Sequence, residues 1–392
     1  MRRFTQNWES GHLVNMASNI RRRQGWFLDK ASPRQIANLA VCGTQFALKH
    51  EKMRALPVLL KVDISPACNL GCTWCVHADA NPPGNDLLDN QQFRARMMSV
   101  EDFSRLVAST EGRTMAVVLY YLGDPLVHPR LEEICGVCRS AGLNSHVSTN
   151  FSFRLSDERI RGILTSGLTH LTVCVDGMSQ ERYELTRVGG RIGLVLDNLD
   201  RLLRIRRELR LRYPRVEVQF IKFQHNLAEL EKAAAWCAER GIDQFTSYWG
   251  RLNNLADLAP GRYRVFGPKP KAPLPRCSWP HFSLQVKYNG DVIPCCYYRT
   301  TEQYRADGDS RVVGNVLKSG LWEVWNSPAY RQLRRLVNDP TRAASDPSFS
   351  DSFCHGCPIV FETDAGEHEY VADSHRWEDL YTLDPSGKVV RR

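Results

Sequence analysis

Between Val58 and Trp249 six short apolar or β-branched runs alternate with longer stretches of helical periodicity, five in number. The runs are VLLKVDIS (58–65), AVVLYYLG (116–123), NSHVSTNF (144–151), HLTVCVDG (170–177), RVEVQFIKF (215–223) and QFTSYW (244–249). Several of the stretches between them open on Ser or Asp and close on Gly. These residues satisfy free N–H groups at a helix start and tolerate the left-handed turn at its end. Parallel strands need a long crossover, so regular strand–helix alternation specifies a parallel sheet with helices packed on it. Six units fall short of a closed eight-fold barrel. The expected fold is α/β: an open, partial (β/α)6 TIM-like barrel over residues 58–250.

The rest of the chain divides around that barrel. Residues 1–57 read as an N-terminal helical extension, in which SPRQIANLAVCGTQFALKHEKM begins with the Ser-Pro of a helix start. Its apolar face is expected to cap the barrel, or else to meet a membrane or partner. Residues 78–98 form a long polar loop of the kind that serves function or disorder. Residues 251–276, rich in Pro, Gly and Lys, read as a linker, 277–360 as a smaller domain and 361–392 as a tail. No run reaches eighteen apolar residues and the first residues lack a signal-peptide core, so no membrane span and a cytoplasmic location are expected. Net charge is +9, with arginines concentrated in RLLRIRRELRLR (201–212). Leucine and isoleucine recur there at helical spacing, which favours a solvated basic helix face over a nucleic-acid contact.

Thirteen cysteines are many for a chain from a reducing compartment, where metal binding is the better explanation than disulfides. Cys68, Cys72 and Cys75 lie in CNLGCTWC directly after the first strand, at the sheet end where α/β enzymes place their sites. Three thiolates leave a tetrahedral zinc site one ligand short unless His77 completes it. An iron–sulfur cube would keep one iron open. Cys277, Cys295, Cys296, Cys354 and Cys357 form a second group. Cys135, Cys138, Cys174 and Cys237 fall in regular elements and read as buried, inert thiols.

The CNLGCTWC motif after strand one resembles the cluster-binding motif of radical S-adenosylmethionine (SAM) enzymes, and the resemblance runs over roughly residues 58–360. It implies a 4Fe–4S cluster on Cys68, Cys72 and Cys75, SAM bound at the open iron, and an external electron donor such as flavodoxin or ferredoxin. Further positions match in order. YLGDP (121–125) stands where the family has a Gly-Gly-Glu-Pro-type motif, with Leu122 for a glycine and Asp124 for the glutamate, and offers Gly123 and Asp124 to SAM. Ser148 and Asn150 end strand three, Asp176 ends strand four, Arg187 resembles an arginine that pairs with the SAM carboxylate, and Trp74 lies where an aromatic residue approaches the adenine.

The second cysteine group resembles the twitch/SPASM-like extension of the same enzymes, with Cys277, Cys295, Cys354 and Cys357 as four ligands of an auxiliary 4Fe–4S cluster, a four-cysteine zinc site being the alternative. Cys296 is then spare: a bystander, a replacement for Cys295, or a thiol that reaches substrate. The last role would make it catalytic, a hydrogen donor to a substrate radical. The four-cysteine set further resembles that of carbohydrate/aminoglycoside-type epimerases and dehydrogenases, which implies epimerisation of a hydroxyl-bearing carbon in a sugar or glycosylated natural product. Dehydrogenation of such an alcohol, and maturation of a ribosomal peptide, are the alternatives.

Overall fold

The computed structural model describes residues 25–72, 75, 96–249, 265–295, 312–349, 352, 354, 356, 357, 359–363, 381–383 and 389–391. Six strands lie parallel and side by side in chain order: β1 (Leu59–Val62), β2 (Ala116–Val118), β3 (Asn144–Thr149), β4 (His170–Cys174), β5 (Arg215–Lys222) and β6 (Gln244–Trp249). Their registers step evenly, from Leu60 beside Val117 to Ser148 beside Thr172 and Cys174 beside Gln219. The expected parallel α/β fold is the one observed. The first four strands stop short of their apolar runs, because residues such as 119–123 and 175–177 leave the sheet to build loops at its C-terminal end.

Helices α2 (Val100–Ala108), α3 (Leu131–Ser140), α4 (Asp157–Thr165), α5 (Ile192–Glu208) and α6 (Leu230–Arg240) follow successive strands. Ser99 and Ser156 cap α2 and α4, their hydroxyls accepting from Asp102 N at 3.0 Å and Arg159 N at 3.1 Å. Gly241 ends α6 at φ +68°, a conformation other residues resist. Leu60, Val62, Val117, Leu171 and Val173 are fully buried between sheet and helices. On α5 the basic run is paired rather than bare: Arg201 with Asp157 and Asp197, and Arg204 with Asp157 and Glu208.

The C-terminal segment joins this sheet. β8 (Ser283–Val286) lies parallel to the free edge of β1, with Leu59 beside Ser283 and Val62 beside Val286. β9 (Asp291–Ile293) and β10 (Gly314–Asn315) continue antiparallel, giving nine strands with β1 in the interior. Within the stretch read as a linker, β7 (Val265–Pro268) pairs with β11 (Phe361–Thr363). No described helix is long and apolar enough to cross a membrane.

Helix α1 (Pro33–Ala47) starts on a capping box, Ser32 with Gln35, as its Ser-Pro implies. Its inner face differs from the apolar cap expected. The buried stripe is Gln35, Asn38, Cys42 and Gln45, while Ile36, Val41 and Leu48 face outward. Asn38 exchanges two hydrogen bonds with the Leu56 backbone, and the Gln45 side-chain oxygen accepts from Arg54 N and Ala55 N. The helix thus satisfies the backbone of the loop that enters β1.

That loop is held from the other side by α7 (Pro328–Asn338). Arg334, fully buried, donates to the carbonyls of Pro280 at 2.8 Å and Glu51 at 2.9 Å, and its guanidinium lies 4.2 Å from the Trp325 ring centre. Burial lowers its pKa to about 10. Arg334→Ala strands both carbonyls and is expected to lower the unfolding free energy by about 3 kcal/mol in chemical denaturation. Arg334→Lys, which lacks the planar fork, recovers only part.

Candidate functional site

The site forms where β1 to β4 end. After β1 the chain turns through Ser65, Pro66 and Ala67 into Cys68, and Gly123 packs directly against that turn. A Cβ on Gly123 would stand 2.1 Å from Ser65 O and 2.4 Å from Ala67 O, so only glycine admits the approach. Asp124 N then donates to Ala67 O at 2.9 Å. The cysteine loop is pinned further by Gly71 N to Val188 O at 3.1 Å and Asn69 Nδ2 to Ser152 O at 2.9 Å. Cys75 N closes a turn on Cys72 O at 2.9 Å.

Asp124 has a structural task. Its carboxylate accepts from Leu126 N at 3.0 Å, from Asn150 N at 2.8 Å and, through both oxygens, from Thr149 Oγ1 at 2.9 Å. These hydrogen bonds tie the loop after β2 to the end of β3. Burial pushes its pKa up to about 6 against the lowering effect of those hydrogen bonds. Thr149, which the sequence reading passed over between Ser148 and Asn150, is the partner that makes the clamp.

Asn150 and Arg187 do reach the thiols. Asn150 Nδ2 donates to Asn69 Oδ1 at 2.9 Å and stands 3.9 Å from Cys68 Sγ. Leu70 N points at the same sulfur at 3.5 Å. Arg187 Nη1 lies 3.9 Å from Cys72 Sγ, while its Nε donates to Asp176 Oδ2 at 2.6 Å. Asp176, fully buried, also accepts from Ile221 N at 2.7 Å, so the carboxylate at the end of β4 is fixed by β5 and fixes the guanidinium in turn. Ser148 lies apart from this group, 3.9 Å from Cys174 Sγ. Trp74, His77 and Cys296 lie outside the described residues.

The thiols fit a cationic centre. Burial raises the pKa of Cys68, as do the Asp124 carboxylate, Cys75 and Cys72. Burial likewise raises that of Cys72, with Arg187 opposing. Three ionised sulfurs here would repel each other and Asp124, and a cluster of iron cations removes that cost.

The second thiol set shares one cavity. Cys277, Cys295, Cys354 and Cys357 line one cavity of about 440 Å³ together with Leu59 and Lys61 of β1, and with Val118 and Tyr120. Elsewhere its wall is largely aromatic and aliphatic. Four sulfurs around an apolar chamber are a donor set suited to an iron–sulfur cluster without an open iron. By contrast, Cys135 and Cys237 are buried with pKa pushed up to about 12, as inert packed thiols should be.

Comparison with known proteins agrees with this layout. Residues 62–210 match the radical SAM superfamily, and residues 277–358 match the SPASM iron-sulfur cluster-binding domain. The chain carries a radical SAM domain followed by a SPASM domain. It therefore uses SAM and a 4Fe–4S cluster, with additional iron–sulfur at the SPASM domain. It is 22% identical over 341 residues to the tungsten-containing aldehyde ferredoxin oxidoreductase cofactor-modifying protein of Pyrococcus furiosus, covering 78% of this chain and 90% of that protein. It is 22% identical over 304 residues to the PqqA peptide cyclase of Rhizobium meliloti, covering 69% of this chain and 73% of the cyclase. Among solved structures, Streptococcus suis SuiB bound to precursor peptide SuiA superposes with a TM-score of 0.53 at 13% identity, over 76% of this chain and 71% of SuiB, a likeness of fold.

Asp124 yields a pH signature. Folding lifts its pKa from 3.8 to about 6, so the folded chain holds the proton more tightly than the unfolded one. Its contribution to stability therefore falls as pH rises through that window and levels off above it. In denaturation of the metal-free protein, the wild-type minus Asp124→Asn difference in unfolding free energy should decline over that range. A difference that rises there contradicts the assignment.

Proposed function

We propose that the protein is a radical SAM oxidoreductase: Cys68, Cys72 and Cys75 hold the SAM-binding cluster, and Cys277, Cys295, Cys354 and Cys357 hold a second, fully ligated one. Bound there, these groups would supply a 5′-deoxyadenosyl radical able to take a hydrogen atom from a substrate carbon, and an acceptor for the electron given up as the substrate also releases a proton to solvent. The observation that carries the reading is the shared wall. β1 feeds the first cysteine loop at its C-terminal end, and its Leu59 and Lys61 line the chamber of the second thiol set.

The chain's own residues prepare the site for this work. Asp176 orients Arg187, whose cation faces Cys72 and would offset thiolate charge. Asn150 and Leu70 N direct donors at Cys68, and hydrogen bonds to ligating sulfur make a cluster easier to reduce. Gly123 and the Asp124–Thr149 clamp fix the loop from which these contacts radiate.

For substrate we propose a peptide, supported by the likeness to a peptide cyclase over most of its length. The sugar-carbinol substrate expected from the sequence follows from the resemblance to aminoglycoside-type enzymes, and the choice of epimerisation over dehydrogenation rests on Cys296, which lies outside the described residues. Isotope labelling separates oxidation from epimerisation. In heavy water an oxidised product loses two hydrogens and gains no solvent deuterium at the reacting carbon. An epimerised product keeps its hydrogen count and carries deuterium there.

Anaerobically reconstituted protein is expected to bind about eight irons and, with SAM and dithionite, to release 5′-deoxyadenosine. The triple variant Cys68→Ala/Cys72→Ala/Cys75→Ala should keep about four irons and release none. Stoichiometric zinc at the second site would refute the two-cluster assignment.

A further inference from the structure

We propose that Lys61 is a charge-compensating residue for the second thiol site, raising the reduction potential of the cluster held by Cys277, Cys295, Cys354 and Cys357. The inference rests on the reading of those four thiols as cluster ligands.

Lys61 sits in the middle of β1, paired on one side with Val118 and on the other with Gln285. A strand bonded along both edges gives its side chain a fixed origin. Its neighbours Leu60 and Val62 are fully buried, and alternation turns Lys61 to the other face, where it lines the thiol chamber. Its ammonium lies 5.3 Å from the centre of the Tyr120 ring and 5.2 Å from that of Tyr121, within cation–π range of both.

Apart from the thiols, Lys61 is the one ionisable charge among the described residues lining that chamber. Among the described residues it has no carboxylate partner. A lone cation on an apolar wall is a cost to folding unless negative charge comes to it. Four thiolates around a cluster supply that charge, and the net charge grows more negative by one when the cluster takes an electron. The ammonium therefore favours the reduced form over the oxidised form. A cluster that is to accept an electron from a substrate radical is helped by that bias.

The test uses the full-length triple Cys68→Ala/Cys72→Ala/Cys75→Ala variant, in which the second cluster is observed by itself. Iron is counted first, and the cluster is then titrated anaerobically with its paramagnetic reduced state as readout. Lys61→Met is expected to keep its iron and, at a fixed potential, to show a reduced-to-oxidised ratio lower by up to about tenfold, which for one electron is about 59 mV. Lys61→Arg should stay near the parent. If Lys61→Met disturbs folding, Lys61→Gln is titrated with the same expectation. An unchanged potential in a neutral variant with its iron intact overturns the proposal and leaves the ligand assignment standing. Loss of iron from both neutral variants but not from Lys61→Arg assigns Lys61 to holding the cluster, and overturns the tuning role. A parent with no iron at all removes the ligand reading itself.

Discussion

The contact on which the mouth of the barrel depends is the backbone approach of Gly123 to Ser65 and Ala67. It is closer than any side chain permits, and it brings the turn after β2 onto the turn that carries Cys68. From that point the Asp124 carboxylate reaches across to Thr149 and Asn150, and the Asn150 side chain reaches back to Asn69 and Cys68. Three strand ends are thereby tied in a closed circuit of hydrogen bonds around one thiol. An apolar contact could not do this, because it fixes distance without direction. Directed donors and acceptors hold a loop of three cysteines in the spacing a cluster needs.

The same economy appears at Cys72. A buried guanidinium and a buried carboxylate cost desolvation that their mutual attraction only partly offsets, so the Arg187–Asp176 pair is weak evidence of stabilisation. Its placement is the informative part. Asp176 spends one oxygen on Ile221 N and the other on Arg187 Nε, which leaves the far side of the guanidinium toward the sulfur. Burial is tolerated because the positive charge has a second negative neighbour once the thiol ionises. Structure and chemistry thus share one charge network.

The strand–helix order was legible because its signal is local: periodicity, caps and glycine stops lie within a dozen residues of one another. The cysteine motif was legible for the same reason, together with its place at a strand end. What escaped was tertiary. Gln35, Asn38 and Gln45 look like a solvent face, yet they are buried because their partners are loop backbone groups such as those of Leu56 and Ala55. The clamp between Asp124 and Thr149 joins residues twenty-five positions apart. Strands as short as β8 to β10 carry too few residues for an alternation pattern, and their register is set by β1, more than two hundred residues upstream.

That last pairing has a mechanical consequence. Because β8 hydrogen-bonds along the edge of β1, the segment between Cys277 and Cys295 is attached to the strand that leads to Cys68. Under the proposed function, a substrate radical would survive only while water and protein hydrogens were kept from it, so an acceptor would have to be near and fixed. Separate domains joined by a linker would let that distance vary. A continuous sheet does not, since sliding β8 by one residue would turn Gln285, now buried beside Lys61, outward and bring its neighbours Leu284 and Val286 to the chamber side. The register of one short strand pair therefore ties the segment from Cys277 to Cys295 to β1.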